Sequence, residues 1–129
     1  MYITSAQDST SPIHTPHGET ICELIGRAVV QPTDTHSVAH VLIPPGSSTL
    51  LHSHPSTDES YYILKRKARM VLDDEEALLS PGQIVLIAPG QRHKIFTVGS
   101  DPLEMLVVCV PAWEPTNTIW LEGSDAVSK

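Results

Sequence analysis

Gly46-Ser47-Ser48-Thr49-Leu50-Leu51-His52-Ser53-His54-Pro55-Ser56-Thr57-Asp58-Glu59-Ser60-Tyr61-Tyr62 is the stretch on which the reading of the fold turns. In an extended backbone, residues two apart point to the same side, so His52 and His54 send two imidazoles into one space. Beyond a Pro-containing turn, Glu59 opens a new strand and can set a carboxylate opposite them. Imidazole and carboxylate together suit one divalent first-row metal such as Fe, Mn, Ni, Zn or Cu.

A second stretch, Gly82-Gln83-Ile84-Val85-Leu86-Ile87-Ala88-Pro89-Gly90-Gln91-Arg92-His93, ends a strand at a tight Pro-Gly turn and opens the next with a histidine. A fourth ligand can arrive there. Outward from these two segments, 11 Pro and 7 Gly interrupt the chain, and no run of a dozen residues between them has helical apolar spacing. The chain therefore reads as all-β. Strands are expected at Thr20 to Leu24, Ser37 to Ile43, Ser48 to His52, Glu59 to Lys65, Ala68 to Leu72, Glu76 to Leu79, Gln83 to Ile87, His93 to Thr97 and Pro102 to Val110. Pro44-Pro45-Gly46, Asp73-Asp74, Ser80-Pro81-Gly82 and Pro89-Gly90 supply the turns. Met105 to Val110 is apolar on both faces, which suits a strand covered on both sides.

The 129 residues make one domain, and 40% hydrophobic content supplies a core without disulfide staples. With 8 Lys+Arg against 15 Asp+Glu the net charge is −7, which disfavours nucleic acid and anionic membranes as partners. Cys22 and Cys109 form no CxxC or Cys/His cluster, and the N-terminus lacks a secretory pattern, so a reducing, cytoplasmic setting is expected. No apolar run approaches the ~20 residues of a membrane span. Residues 1–17 are polar and expected to be flexible, 18–123 form the barrel, and 124–129 are a frayed tail.

The joint pattern G-x5-H-x-H-x4-E, then G-x6-P-G-x2-H, resembles the two signature motifs of the cupin superfamily across Gly46 to His93. The resemblance implies a double-stranded β-helix, a single-domain jelly-roll barrel, holding one metal through His52, His54, Glu59 and His93. It also implies a homodimer that packs or swaps N-terminal strands. Three positions depart from the family pattern: Arg66 stands where a glycine is usual, Ala88 replaces the first proline of the second motif, and Thr97 replaces an asparagine. These touch turns and packing.

Four ligands on an octahedral ion leave two positions open, the arrangement of a catalyst. A metal-dependent enzyme on a small oxygen-rich metabolite follows, of oxygenase, decarboxylase or isomerase type. One alternative is a lyase similar to the dimethylsulfoniopropionate lyases, with Tyr61 as base; the other is a cupin that binds a small ligand without turnover. Tyr61 otherwise reads as a wall of the barrel beside the metal, and Tyr62 faces the opposite way. His40 reads as a satisfied core histidine, Cys109 as a buried inert thiol, and Trp113 and Trp120 as residues explained by burial. His14 and His17, in a polar tail, are given no role. The Lys65 to Arg69 cluster, followed by Asp73 to Glu76, reads as a solvated hairpin with cross-strand ion pairs.

Overall fold

The computed structural model describes residues 1–123, and the tail read at 124–129 lies outside the described residues. Two antiparallel sheets face each other as a double-stranded β-helix. The strands are β1 (Ile13–His14), β2 (Thr20–Ile25), β3 (Ser37–Ile43), β4 (His52–Ser53), β5 (Asp58–Lys65), β6 (Lys67–Leu72), β7 (Glu75–Leu79), β8 (Ile84–Ile87), β9 (His93–Val98), β10 (Leu103–Val110) and β11 (Ile119–Trp120). One sheet runs β1-β2-β3-β10-β5-β8 and the other β11-β4-β9-β6-β7.

Alternation decides which side chains enter the barrel. On β5, Glu59, Tyr61 and Ile63 are buried while Asp58 and Tyr62 are exposed. Ile43, Ile63, Ala68, Ile95 and Leu103 form a solvent-free plug at one end of the interior. At the other end the inward positions of β3, β10 and β5 turn polar, with Ser37 opposite Cys109 and Cys109 opposite Glu59. The functional residues gather at this polar end.

Most of the expected strands form within a residue or so of their expected ends. The strand expected over Ser48 to His52 does not. Ser48 makes only an isolated bridge to Phe96, and β4 begins at His52. The Thr49 hydroxyl accepts the Ile95 N–H that a regular ladder would give to a carbonyl, and the Leu51 N–H goes to the Glu122 side chain. Side chains thus replace ladder bonds. The two-residue strands β1 and β11 are too short to show a period in the sequence.

β10 lies between β3 and β5, yet among the described residues only its inner face is covered. Leu106 and Val108 are half-buried on the outer face, and Val110 is 50% exposed. The double cover expected from its composition is therefore absent among the described residues. His40 also belongs to this outer face, because its neighbour Val41 points inward; its Nε2 lies 3.1 Å from Glu104 Oε2. It is a half-buried surface partner of Glu104, not a core histidine. The N-terminal segment runs along its own barrel: Ile13 and His14 pair with Ile21 and Thr20, and Tyr2 Oη donates to Leu24 O. The β6–β7 hairpin carries the expected cross-strand pair, Arg69 with Glu76 at 2.8 Å.

Two of the three departures from the family pattern have visible consequences. Arg66 takes the left-handed conformation (φ +74) between β5 and β6, so the turn keeps its shape with a side chain where glycine would be unstrained. Thr97 Oγ1 donates to Ile43 O and so ties β9 to the end of β3.

Candidate metal centre

Main-chain pairing brings the two sequence segments together. His52 and His93 are register partners on β4 and β9, and the N–H of Gly90, at φ +83, donates to His54 O. The ring centroids lie 5.0 Å apart for His52 and His54, 4.1 Å for His52 and His93, and 5.5 Å for His54 and His93. Glu59 faces them from β5, with Oε1 2.9 Å from His93 Nε2 and 3.5 Å from His54 Nε2. All four side chains are buried, and one ligand atom from each lies within 4.8 Å of every other. That spread is close to the ~4.3 Å separating opposite ligands on one ion with ~2.0–2.2 Å bonds.

Each histidine is oriented by a main-chain carbonyl. Nδ1 of His52 donates to Leu50 O at 2.6 Å, Nδ1 of His54 to Asn117 O at 2.8 Å, and Nδ1 of His93 to Gln91 O at 3.0 Å. A carbonyl only accepts, so each Nδ1 carries the hydrogen and each ring turns its Nε2 inward. Fixing the remote nitrogen in this way is how metal-binding imidazoles are held. Glu59 Oε1 and His93 Nε2 are buried, face each other at 2.9 Å and have no other hydrogen-bond partner. A cation held between them satisfies both atoms at once. The donor set and its orphaned atoms fit a divalent metal.

The electrostatics agree. Burial pushes His52 down to about 4, helped by the neighbouring His93, so this imidazole is neutral at pH 7. Burial alone would raise the Glu59 carboxyl, but the His93 and His54 imidazoles beside it, and His52 to a lesser degree, outweigh it and hold the group below its usual range. Cys109 Sγ donates to Glu59 Oε2 at 3.4 Å; burial pushes the thiol up, so it stays protonated as a donor. The thiol is buried, as read from the sequence, and it also touches a ligand.

Sequence reasoning missed several contributors. The segment after β10 returns across the barrel mouth, where the 3-10 turn Pro115–Asn117 brings the Asn117 carbonyl to His54 and the Asn117 side chain to Ser56 N and Thr57 Oγ1. β11 then pairs with β4, setting the Trp120 ring 5.3 Å from that of His52. The centre opens into a cavity of about 880 Å³ whose wall includes Tyr61, Trp113, Trp120, His17 and Glu19. The two tryptophans are wall residues there, half-buried and not simply packed away. His17, given no role from the sequence, reaches this wall too. The Tyr61 ring stands 5.8 Å from that of His93.

Known proteins share this architecture. An uncharacterized protein of Methanocaldococcus jannaschii is 34% identical over 120 residues, 93% of this chain and 95% of that protein. The oxalate decarboxylase of Lactobacillus farciminis, solved as a formate complex, superposes with a TM-score of 0.74 at 25% identity over 86% of this chain, which spans 33% of that one. The nucleoside dehydratase Pac13 of Streptomyces superposes with a TM-score of 0.75 at 16% identity over 93% of this chain and 90% of that one, a likeness of fold alone. The cupin domain family model matches residues 39–109, more than half of the chain and the span that holds all four clustered residues, so this protein belongs to the cupin family.

Proposed function

We propose that this cupin is a metal-dependent enzyme acting on a small oxygen-rich metabolite, with one divalent transition metal held by His52, His54, Glu59 and His93. The observation that carries the reading is the three Nδ1 to carbonyl bonds, which turn three Nε2 atoms toward the Glu59 carboxylate at the floor of a cavity. A metal there supplies Lewis-acid polarisation of a substrate oxygen. The chain does the rest. The carbonyl-anchored histidines hold the site rigid, and Cys109 steadies the Glu59 carboxylate. The likeness to a decarboxylase supports an enzymatic use of this barrel. The test is His52→Ala: bound metal and turnover should fall together, whereas turnover that survives in the metal-free protein would sink the proposal.

A lyase that uses Tyr61 as base is the second reading, favoured by the position of Tyr61 on the cavity wall beside His93. Burial pushes its phenol well above the usual range, with the charges of Glu59 and Glu19 adding to the effect, so deprotonation of Tyr61 needs the metal's positive charge nearby. Full elimination activity in Tyr61→Phe would remove this reading. A homodimer belongs to the same proposal. It is supported by the uncovered outer face of the six-stranded sheet, where Ile84 is 62% and Leu86 66% exposed beside Tyr62 and Val110.

A further inference from the structure

The turn joining β1 to β2 brings a second polar group to the cavity that the metal centre leaves unused. His17 Nε2 lies 2.5 Å from Glu19 Oε1, Glu19 is only 7% exposed, and both side chains line the cavity. The turn is firmly built. The Thr15 N–H donates to Glu19 O at 2.9 Å, the Glu19 N–H to Thr15 Oγ1 at 3.0 Å, and Ser47 Oγ to His17 O at 2.5 Å. Gly18 has φ +109 and lies against the Pro44 ring, where a Cβ would come within 3.2 Å of Cγ.

Burial is the largest influence on Glu19 and raises its carboxyl, while His17 draws it back. Glu19 is the buried member of the pair and His17 stays partly exposed, which places the pair at the cavity wall and not in the core. An ionisable pair held rigid at a cavity wall is better matched to a ligand. Glu19 and Tyr61 line the same cavity.

Size and charge narrow the occupant. About 880 Å³ is near the top of the ~300–1,000 Å³ range for drug-sized ligands, and a two-carbon diacid would leave most of it empty. Elsewhere the cavity wall is largely apolar and includes Ile21, Val41, Met105 and Val107. Among the described residues that line the cavity, Arg27 is the one permanent cation. Its Nε is already 3.7 Å from Glu114 Oε2 and 3.3 Å from Ala112 O. Glu19 and Glu23 add negative charge. A dianion meets no free cation away from the metal centre.

We propose that the His17–Glu19 pair is the second polar anchor of this cavity, and that the cavity takes an uncharged, ring-sized hydroxy or keto compound with oxygens at both ends. The inference rests on the metal-centre reading for the anchor at the opposite end. The test titrates the full chain, with and without one equivalent of Mn²⁺, with three probes: oxalate, 2,3-dihydroxynaphthalene, and 2,3,6-trihydroxynaphthalene, whose extra hydroxyl lies at the far end. In the Mn²⁺-loaded wild type the triol should bind at least about tenfold more tightly than either other probe, as a hydrogen bond to a buried charged group allows. Glu19→Leu should abolish the gain from triol over diol, change diol affinity less than about twofold and leave bound Mn²⁺ unchanged; His17→Leu, which spares the carboxylate, should reduce the gain in part. Tighter binding of oxalate, no binding of the triol, or an equal gain in wild type and Glu19→Leu would overturn the proposal. If Mn²⁺ does not bind, the metal-centre reading fails alone, and the triol to diol ratio in the metal-free chain still decides the role of the pair.

Discussion

Single residues set the chemistry of this barrel through what their second polar atom touches. A histidine whose Nδ1 donates to a backbone carbonyl has one ring nitrogen committed and the other held in a fixed direction, and three such histidines meet at one carboxylate. Arg66 illustrates the converse, a residue that disagrees locally with its place in the fold. Its φ of +74 costs an L-residue about 1–2 kcal/mol, and its 3.5 Å pair with Asp101 is exposed and returns little. Arg66→Gly should therefore stabilise the protein by about 1 kcal/mol after the glycine's extra unfolded-state entropy is counted, raising Tm by roughly 3–5 °C. An unchanged or lower Tm in a thermal melt would show that the turn is not strained.

Secondary-structure elements explain how much of this was legible in the sequence. The spacing from His52 to Glu59 and the Pro89-Gly90 turn before His93 are local signals, and the four candidate ligands follow from them. What brings His54 its carbonyl does not follow, because Asn117 is far away in sequence and the chain must cross the barrel mouth to reach it. Likewise, His17 and Glu19 sit in a polar stretch with no apolar period, and only their pairing across Gly18 turns them toward the cavity. The strand expected over Ser48 to His52 shortens because Thr49 and Glu122 take over its ladder bonds, a substitution that propensity cannot register. Asn117→Ala keeps the carbonyl but removes the side-chain bonds to Ser56 and Thr57. It should cost about 1–2 kcal/mol in urea unfolding and weaken metal binding by about tenfold as His54 loosens. Metal affinity equal to wild type would mean that the 3-10 turn does not position His54.

Across the whole molecule, two surfaces carry information beyond the barrel itself. The outer face of the six-stranded sheet exposes Ile84, Leu86 and Val110 where a lone soluble barrel would be polar. Leu86→Lys should convert the proposed dimer to a monomer in light scattering while the barrel stays folded; a monomeric wild type would contradict it. The interior, by contrast, governs acid stability. In the metal-free protein the folded-state value of His52 is about 4, against about 6.5 in the unfolded chain, so between those values the unfolded chain binds the proton more readily. Stability should drain away as pH falls from about 6.5 towards 4, by roughly 3 kcal/mol, and Glu59, depressed in the folded state, extends the loss below about 4.5. Urea unfolding of the metal-free chain at pH 7 and pH 4.5 would show a flat profile if the four residues were solvated and uncoupled. The most direct test of the central claim is elemental mass spectrometry on the chain purified without chelator or added metal, wild type beside His52→Ala. About one Fe, Mn, Ni, Zn or Cu is expected per wild-type chain and little in the variant; a wild type that holds no transition metal even after reconstitution at neutral pH would rule out the metal centre.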